Sequence, residues 1–185
     1  MSTIRPWRQL TSEVVATGKL FAVRRDQVEL PGRPSEPIEY TYLDQPPAVV
    51  VVPQPDPAHV LVIEQYRYPI GARSVEFPAG SLEDGEAPEA AARRELTEEI
   101  GVQAGELHHL GTCYPTVAVT TTQIHVFLAR ELQAGQPHRE ATEQLEVRRV
   151  TLDEVGRLIS AGAIMDSASI IAYFYLLRHL GRPPT

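Results

Sequence analysis

Residues 80–102 carry Glu83, Asp84, Glu86, Glu89, Glu95, Glu98 and Glu99. The last three stand at i, i+3 and i+4. In a helix that spacing puts them on one face, with about 5–6 Å between Cβ atoms. Like charges so placed repel by roughly 0.2–0.5 kcal/mol per pair. A cation among them reverses the sign. Hard divalent ions take oxygen ligands, and Mg²⁺ binds through one or two carboxylates plus water and substrate phosphates. The spacing suits a metal held against a phosphate, although a charge run of this kind is by itself more often a solvated acidic face.

The elements that must position these carboxylates follow from their flanks. Pro88 suits the first turn of a helix, where its missing N–H costs nothing. Glu86 and Glu89 near that end favour the helix dipole. Gly101 is a natural terminator, so the helix spans Pro88–Ile100. Ala91, Ala92, Leu96 and Ile100 form the stripe that packs it on a sheet. Arg93 and Arg94 fall near the acidic face, and one of them orients the glutamates through ion pairs. Ser74–Pro78 reads as a short strand leading into Ala79 and Gly80. Gly80 lets the backbone turn or approach a ligand closely, and the Ala79 carbonyl offers a further oxygen. Ala48–Val52 and His59–Tyr66 are apolar runs that suit strands buried on both faces, read as an antiparallel hairpin at the heart of the sheet. Arg67, after Gln65 and Tyr66 at the end of the second, could clamp a phosphate bidentately.

Upstream, Ser12–Val15, Leu20–Leu30 and Ile38–Leu43 are rich in strand-forming residues and are separated by Thr17-Gly18 and Pro31-Gly32-Arg33-Pro34. They form either the first strands of the main sheet or a small β unit. Downstream, Glu106–Tyr114 and Gln123–Ala129 are strand-like. Residues 131–143 form a polar loop, and Leu145–Val150 returns as a strand. Thr151-Leu152-Asp153-Glu154 has the form of a capping box. Asp166 or Ser167 caps a last helix, whose apolar stripe includes Ile170, Ile171, Phe174 and Leu177.

Bulk properties narrow the class. The chain has 185 residues, 43% hydrophobic and 22% charged, ordinary for a globular protein with one core. A net charge of −7 argues against a nucleic-acid backbone as partner, since such binders carry a basic face. A small phosphorylated ligand remains open to it, because bound metal screens the local field. The one cysteine, Cys113, excludes an internal disulfide and reads as packing. The N-terminus, MSTIRPWRQL, has no apolar core of the length a signal peptide needs, and no run reaches 18 apolar residues, so the expected location is cytoplasmic with no membrane partner. His108, His109 and His138 show no zinc spacing and read as surface residues.

Gly80, five residues, Glu86, seven residues, Arg94-Glu95-Leu96, one residue, Glu98-Glu99, one residue and Gly101-Val102 resemble the Nudix box in every fixed position. Glu64-Gln65-Tyr66-Arg67, Tyr114-Pro115, and Gly162-Ala163-Ile164 with Asp166 and Ser167 resemble its ADP-ribose and nucleoside-diphosphate-sugar pyrophosphatase branch. The resemblance implies an α/β (α+β) fold, an α/β/α sandwich with a mixed sheet over residues 45–185. Residues 1–44 would be an N-terminal β extension that pairs a homodimer. It implies two or three Mg²⁺ or Mn²⁺ ions on Glu95, Glu98, Glu99 and the Ala79 carbonyl, supported by Arg94, Glu86 and Gly80. Arg67 and Gln65 would bind the substrate. A glutamate of the loop before the last strand would be the general base. Glu140, Glu143 and Glu146 are available, with Glu143 preferred and Glu140 in reserve. The reaction implied is hydrolysis of the pyrophosphate of ADP-ribose or a related nucleoside-diphosphate sugar to a nucleoside monophosphate and a sugar phosphate. GDP-mannose, NADH, FAD, a nucleoside triphosphate, or nucleotide sensing without cleavage are the alternatives. One departure widens the choice of sugar: Val117 stands where that branch commonly has a second proline.

Overall fold

The computed structural model describes residues 4–137 and 144–183. The chain divides into two compact units, Met1–Pro46 with Thr116–Thr122, and Pro47–Pro115 with Gln123–Thr185. The inclusion of residues 116–122 in the first unit has no counterpart in the local sequence signals.

In the first unit, β1 (Arg8–Thr17), β2 (Ala22–Leu30) and β3 (Arg33–Asp44) form an antiparallel sheet in the order β1-β2-β3. The β2–β3 turn is Pro31-Gly32, with Gly32 at φ +83°, a left-handed conformation that glycine adopts without a Cβ penalty. Ser12 faces Asp26, which faces Tyr40 on the other side. Trp7 meets Tyr40 edge-on at 5.9 Å. Residues 116–122 join through backbone bonds from Leu43 N–H to Val119 (2.8 Å) and from Thr121 N–H to Leu43 (3.0 Å). β1 is exposed along its whole length.

The second unit holds two sheets. β4 (Ala48–Pro53), β7 (Ala79–Ser81), β8 (Val102–Cys113) and β9 (Ile124–Ala134) pair in the order β7-β4-β9-β8. β4 runs parallel to β9 and antiparallel to β7, so this sheet is mixed. β5 (His59–Arg67), β6 (Ala72–Glu76) and β10 (Leu145–Thr151) pair antiparallel in the order β10-β5-β6. The expected β4–β5 hairpin does not form. A tight hairpin needs backbone N–H groups near its turn, and Pro53, Pro55 and Pro57 have none. Both edges of β4 are taken by strands from elsewhere in the chain.

Helix α1 (Pro88–Ile100) covers one face through Ala91, Ala92, Leu96 and Ile100, packed with Val49, Val51, Ile63 and Phe127. Helices α2 (Leu152–Ser160) and α3 (Ser167–His179) cover the other, against Val50, Val52, Val60, Val62 and Phe77. The unit is the expected α/β/α sandwich. Thr151 caps α2 by accepting the Glu154 N–H, and Asp166 caps α3 by accepting that of Ser169. The buried face of α3 is Ser169, Ala172, Tyr173, Leu176 and Leu177, so the predicted stripe is turned: Phe174 is exposed. α3 is apolar almost all round, and periodicity alone cannot choose its inner face. β9 also runs on through Glu131–Ala134, predicted as loop, because β8 supplies a ladder partner out to Val102. Among the described residues no helix is long and apolar enough to cross a membrane.

Candidate active site

Helix α1 places its carboxylates by spacing and its depth by packing. The stripe that buries Ala91, Ala92, Leu96 and Ile100 also draws Glu95 and Glu99 below the surface, while Glu98 stays at the rim. The α1 cap is set locally: Pro88 opens it, and Gly101, at φ +66°, closes it with its N–H on Leu96 and Thr97.

Strand β7 lies directly against this face. A Cβ built on Gly80 would stand 1.9 Å from Oε1 of Glu95, so glycine at this position makes the space for that carboxylate. The Ala79 N–H donates to Oε2 of Glu99 at 3.2 Å. Ala79, Gly80, Glu95 and Glu99 are thus brought together by two elements.

Of the two arginines near the acidic face, Arg94 is the one that ties it together. Its Nη1 donates to Glu95 (2.7 Å) and Glu98 (2.9 Å), while Nε and Nη2 each reach Glu86 at 3.0 Å. Nη2 also meets the Ser81 carbonyl at 2.9 Å, which anchors the group to β7. Its hydrogen bonds to Glu86 lead the causes that raise the Arg94 pKa, and the same bonds hold the Glu86 carboxyl below its ordinary range. Arg93 points away to Glu89 and the Ala104 carbonyl. Among the described residues no three His, Cys, Asp or Glu side chains stand as a metal-ligating group. A single cation, the Arg94 guanidinium, already gathers three of the box carboxylates, Glu86, Glu95 and Glu98.

Arg67 sits at the end of β5. Glu76 of β6, 4% exposed, accepts from its Nε at 2.9 Å and its Nη2 at 2.5 Å. Gln65 donates to the same carboxylate at 3.2 Å. These bonds to Glu76 are the first cause of a raised Arg67 pKa, and the charges of Asp166 and Glu99 act in the same sense. Nη1 of Arg67 keeps no partner among the described residues. Gln65 and Arg67 thus share the Glu76 carboxylate.

Glu143 and Glu140, the candidate bases, lie outside the described residues. Glu146 is on β10 opposite Glu64, in a strand rather than the loop. In the sequence Glu76 reads as one more strand residue, and Asp166 as a helix cap and part of the resemblance to the branch. A carboxylate in a strand two residues before the Pro78-Ala79-Gly80 turn was the available signal for the first.

The chain has relatives among known proteins. The NUDIX domain family matches residues 44–173. The chain is 33% identical to the ADP-ribose pyrophosphatase of Bacillus subtilis (strain 168) over 171 residues, covering 91% of each chain. It is 32% identical to the methanol dehydrogenase activator of Bacillus methanolicus over 174 residues, again 91% of each. A solved structure described as an ADP compounds hydrolase superposes with a TM-score of 0.81 over 99% of this chain and 100% of that one, at 24% identity, and is a likeness of fold. The intact box, the α1–β7 geometry and the extent of these matches lead to one conclusion: the chain belongs to the NUDIX family and is a Nudix hydrolase.

Proposed function

We propose that the protein hydrolyses the pyrophosphate bond of ADP-ribose or a closely related nucleoside-diphosphate sugar. The observation that carries this reading is the meeting of Glu95, Glu98 and Glu99 on one face of α1 with Ala79 and Gly80 of β7, in the charge neighbourhood of Arg67. The similarity to an ADP-ribose pyrophosphatase along nearly the whole chain supports the choice of sugar nucleotide.

Nudix hydrolases generally need divalent metal ions. The donors here are hard oxygens throughout, and Gly80 leaves room for the Glu95 carboxylate, so the residues fit Mg²⁺ or Mn²⁺. Glu95, Glu98, Glu99 and the Ala79 carbonyl would hold two or three such ions. The ions would supply charge neutralisation at the pyrophosphate and a more acidic water. Arg67, aligned by Glu76 and Gln65, offers Nη1 to a phosphate oxygen. Arg94 and Glu86 keep the glutamates in register. A loop glutamate, Glu143 with Glu140 in reserve, takes the proton of the attacking water. The new bond is oxygen to phosphorus, the bridging P–O bond breaks, and the products are a nucleoside monophosphate and a sugar phosphate.

A panel of ADP-ribose, GDP-mannose, UDP-glucose, NADH, FAD and dATP, each with Mg²⁺, Mn²⁺ or EDTA, tests this reading. Release of nucleoside monophosphate should be faster from ADP-ribose than from the other compounds and vanish with EDTA. Turnover that survives chelation, or a triphosphate as the best substrate, would refute it. Nucleotide sensing without cleavage is disfavoured because every fixed box position is present.

The N-terminal sheet would pair two copies of the chain. In support, β1 exposes Leu10, Val14 and Val15 along an otherwise open strand, an edge of the kind that pairs with another chain. Sedimentation equilibrium should give twice the chain mass of 20.5 kDa, and a dimer lost on deleting residues 1–17. A monomer at micromolar concentration would rule this out.

A further inference from the structure

A cleft of about 580 Å³ opens beside Arg67, lined by Ile70, Ser74, Glu76, Met165 and Asp166. It lies within the second unit, where the chain after α2 runs along β6: Val75 donates its N–H to Ala163 at 2.9 Å, and Phe77 to Oγ of Ser169 at 2.9 Å. Ser74 is 1% exposed, and its Oγ has no hydrogen-bond partner among the described residues. A buried hydroxyl left unpaired is disfavoured, and native proteins keep few of them. Such a group lining a cleft is a place for a ligand's polar atom.

The other groups define the ligand. Asp166 uses Oδ2 on the N–H (2.8 Å) and hydroxyl (2.9 Å) of Ser169, and its Oδ1 has no partner among the described residues. Glu76 is engaged by Arg67 and Gln65. Two carboxylates repel an anion at the floor of the cleft. With Glu76 already neutralised, only one carboxylate oxygen is left over, too few for a divalent cation. One acceptor, one hydroxyl that donates or accepts, and one guanidinium N–H at the mouth match vicinal alcohols joined to a phosphate. Ile70 and Met165 supply apolar walls for the carbon face of a ring.

Resting on the hydrolytic reading above, we infer that this cleft binds the sugar half of the substrate: its phosphate on Arg67 and its ring hydroxyls on Ser74 and Asp166. The cleft then separates sugar phosphates from simple alkyl phosphates.

Calorimetric titration with ribose 5-phosphate and with ethyl phosphate tests this without requiring turnover. The unaltered protein should bind ribose 5-phosphate about tenfold more tightly, the worth of one or two well-made hydrogen bonds. Ser74→Ala should reduce that preference to about twofold or less. Met165→Trp, which fills the cleft from its exposed rim without touching the core, should abolish it and serves if Ser74→Ala folds poorly. Equal affinities for the two compounds in the unaltered protein, or a preference that survives both substitutions, would overturn the assignment. Failure to hydrolyse ADP-ribose with the tenfold preference intact would refute the proposed reaction while leaving the subsite standing.

Discussion

Glu99→Gln is expected to lower kcat by about 10²–10³, the usual loss when one preorganised electrostatic group is removed. The side chain is 5% exposed and close to Arg67 in charge. Glutamine has the same shape, and its carbonyl oxygen can still accept the Ala79 N–H now held at 3.2 Å. What it lacks is the charge that would bind a divalent ion. The fold should therefore survive, with circular dichroism and melting temperature near those of the unaltered protein. The metal concentration for half-maximal rate should rise. Full turnover of ADP-ribose at ordinary Mg²⁺ by a folded Glu99→Gln protein would remove the carboxylate face from the mechanism.

Gly80→Ala should produce a comparable loss by a different route. The new Cβ would lie 1.9 Å from Oε1, 2.2 Å from Cδ and 2.7 Å from Oε2 of Glu95. Something must move, and the end of a flexible side chain moves more readily than the β4–β7 ladder. An off-rotamer side chain costs about 0.5–1.5 kcal/mol, so stability should fall little. The displaced carboxylate, however, leaves the Arg94 Nη1 bond of 2.7 Å and its place against Gly80. A misplacement of about 1 Å in a catalytic group can cost 10²-fold in rate. The expected pairing is a near-normal melting temperature with kcat/KM down about 10²-fold, read by thermal denaturation and steady-state assay of one preparation. Normal activity would mean that the position of Glu95 does not matter. A collapsed melting temperature would mean that the backbone, not the side chain, had yielded.

The parts of the site legible in the sequence are those decided within a turn or two of chain. α1 begins at Pro88 and ends before Gly101 as read, because a missing N–H and a left-handed cap are local properties. The common face of Glu95, Glu98 and Glu99 follows from helical geometry alone. The caps Thr151 and Asp166 act on backbone groups three residues away. Spacing confined the arginine that ties the glutamates together to Arg93 or Arg94 without choosing between them.

Other features depend on residues far apart in the chain. β4 and β5 have the same apolar signature whether they pair with each other or with β7, β9, β6 and β10. The ladder is chosen by whichever edges meet, and those edges lie as many as 92 residues apart, the separation of His59 and Thr151. The inner face of α3 was set by Phe77 and Leu152, which bond Ser169 and Tyr173, and its own pattern was too uniform to show it. Glu76 looks like any strand carboxylate until β5 brings Arg67 and Gln65 to it. Sequence by itself determined helix α1, its carboxylate ridge and the family, since those rest on short-range geometry and fixed spacing. Only the tertiary structure decided which strands join, which cation gathers the glutamates and which buried polar groups converge beside Arg67. Each of these is a contact between residues that the chain keeps apart until it has folded.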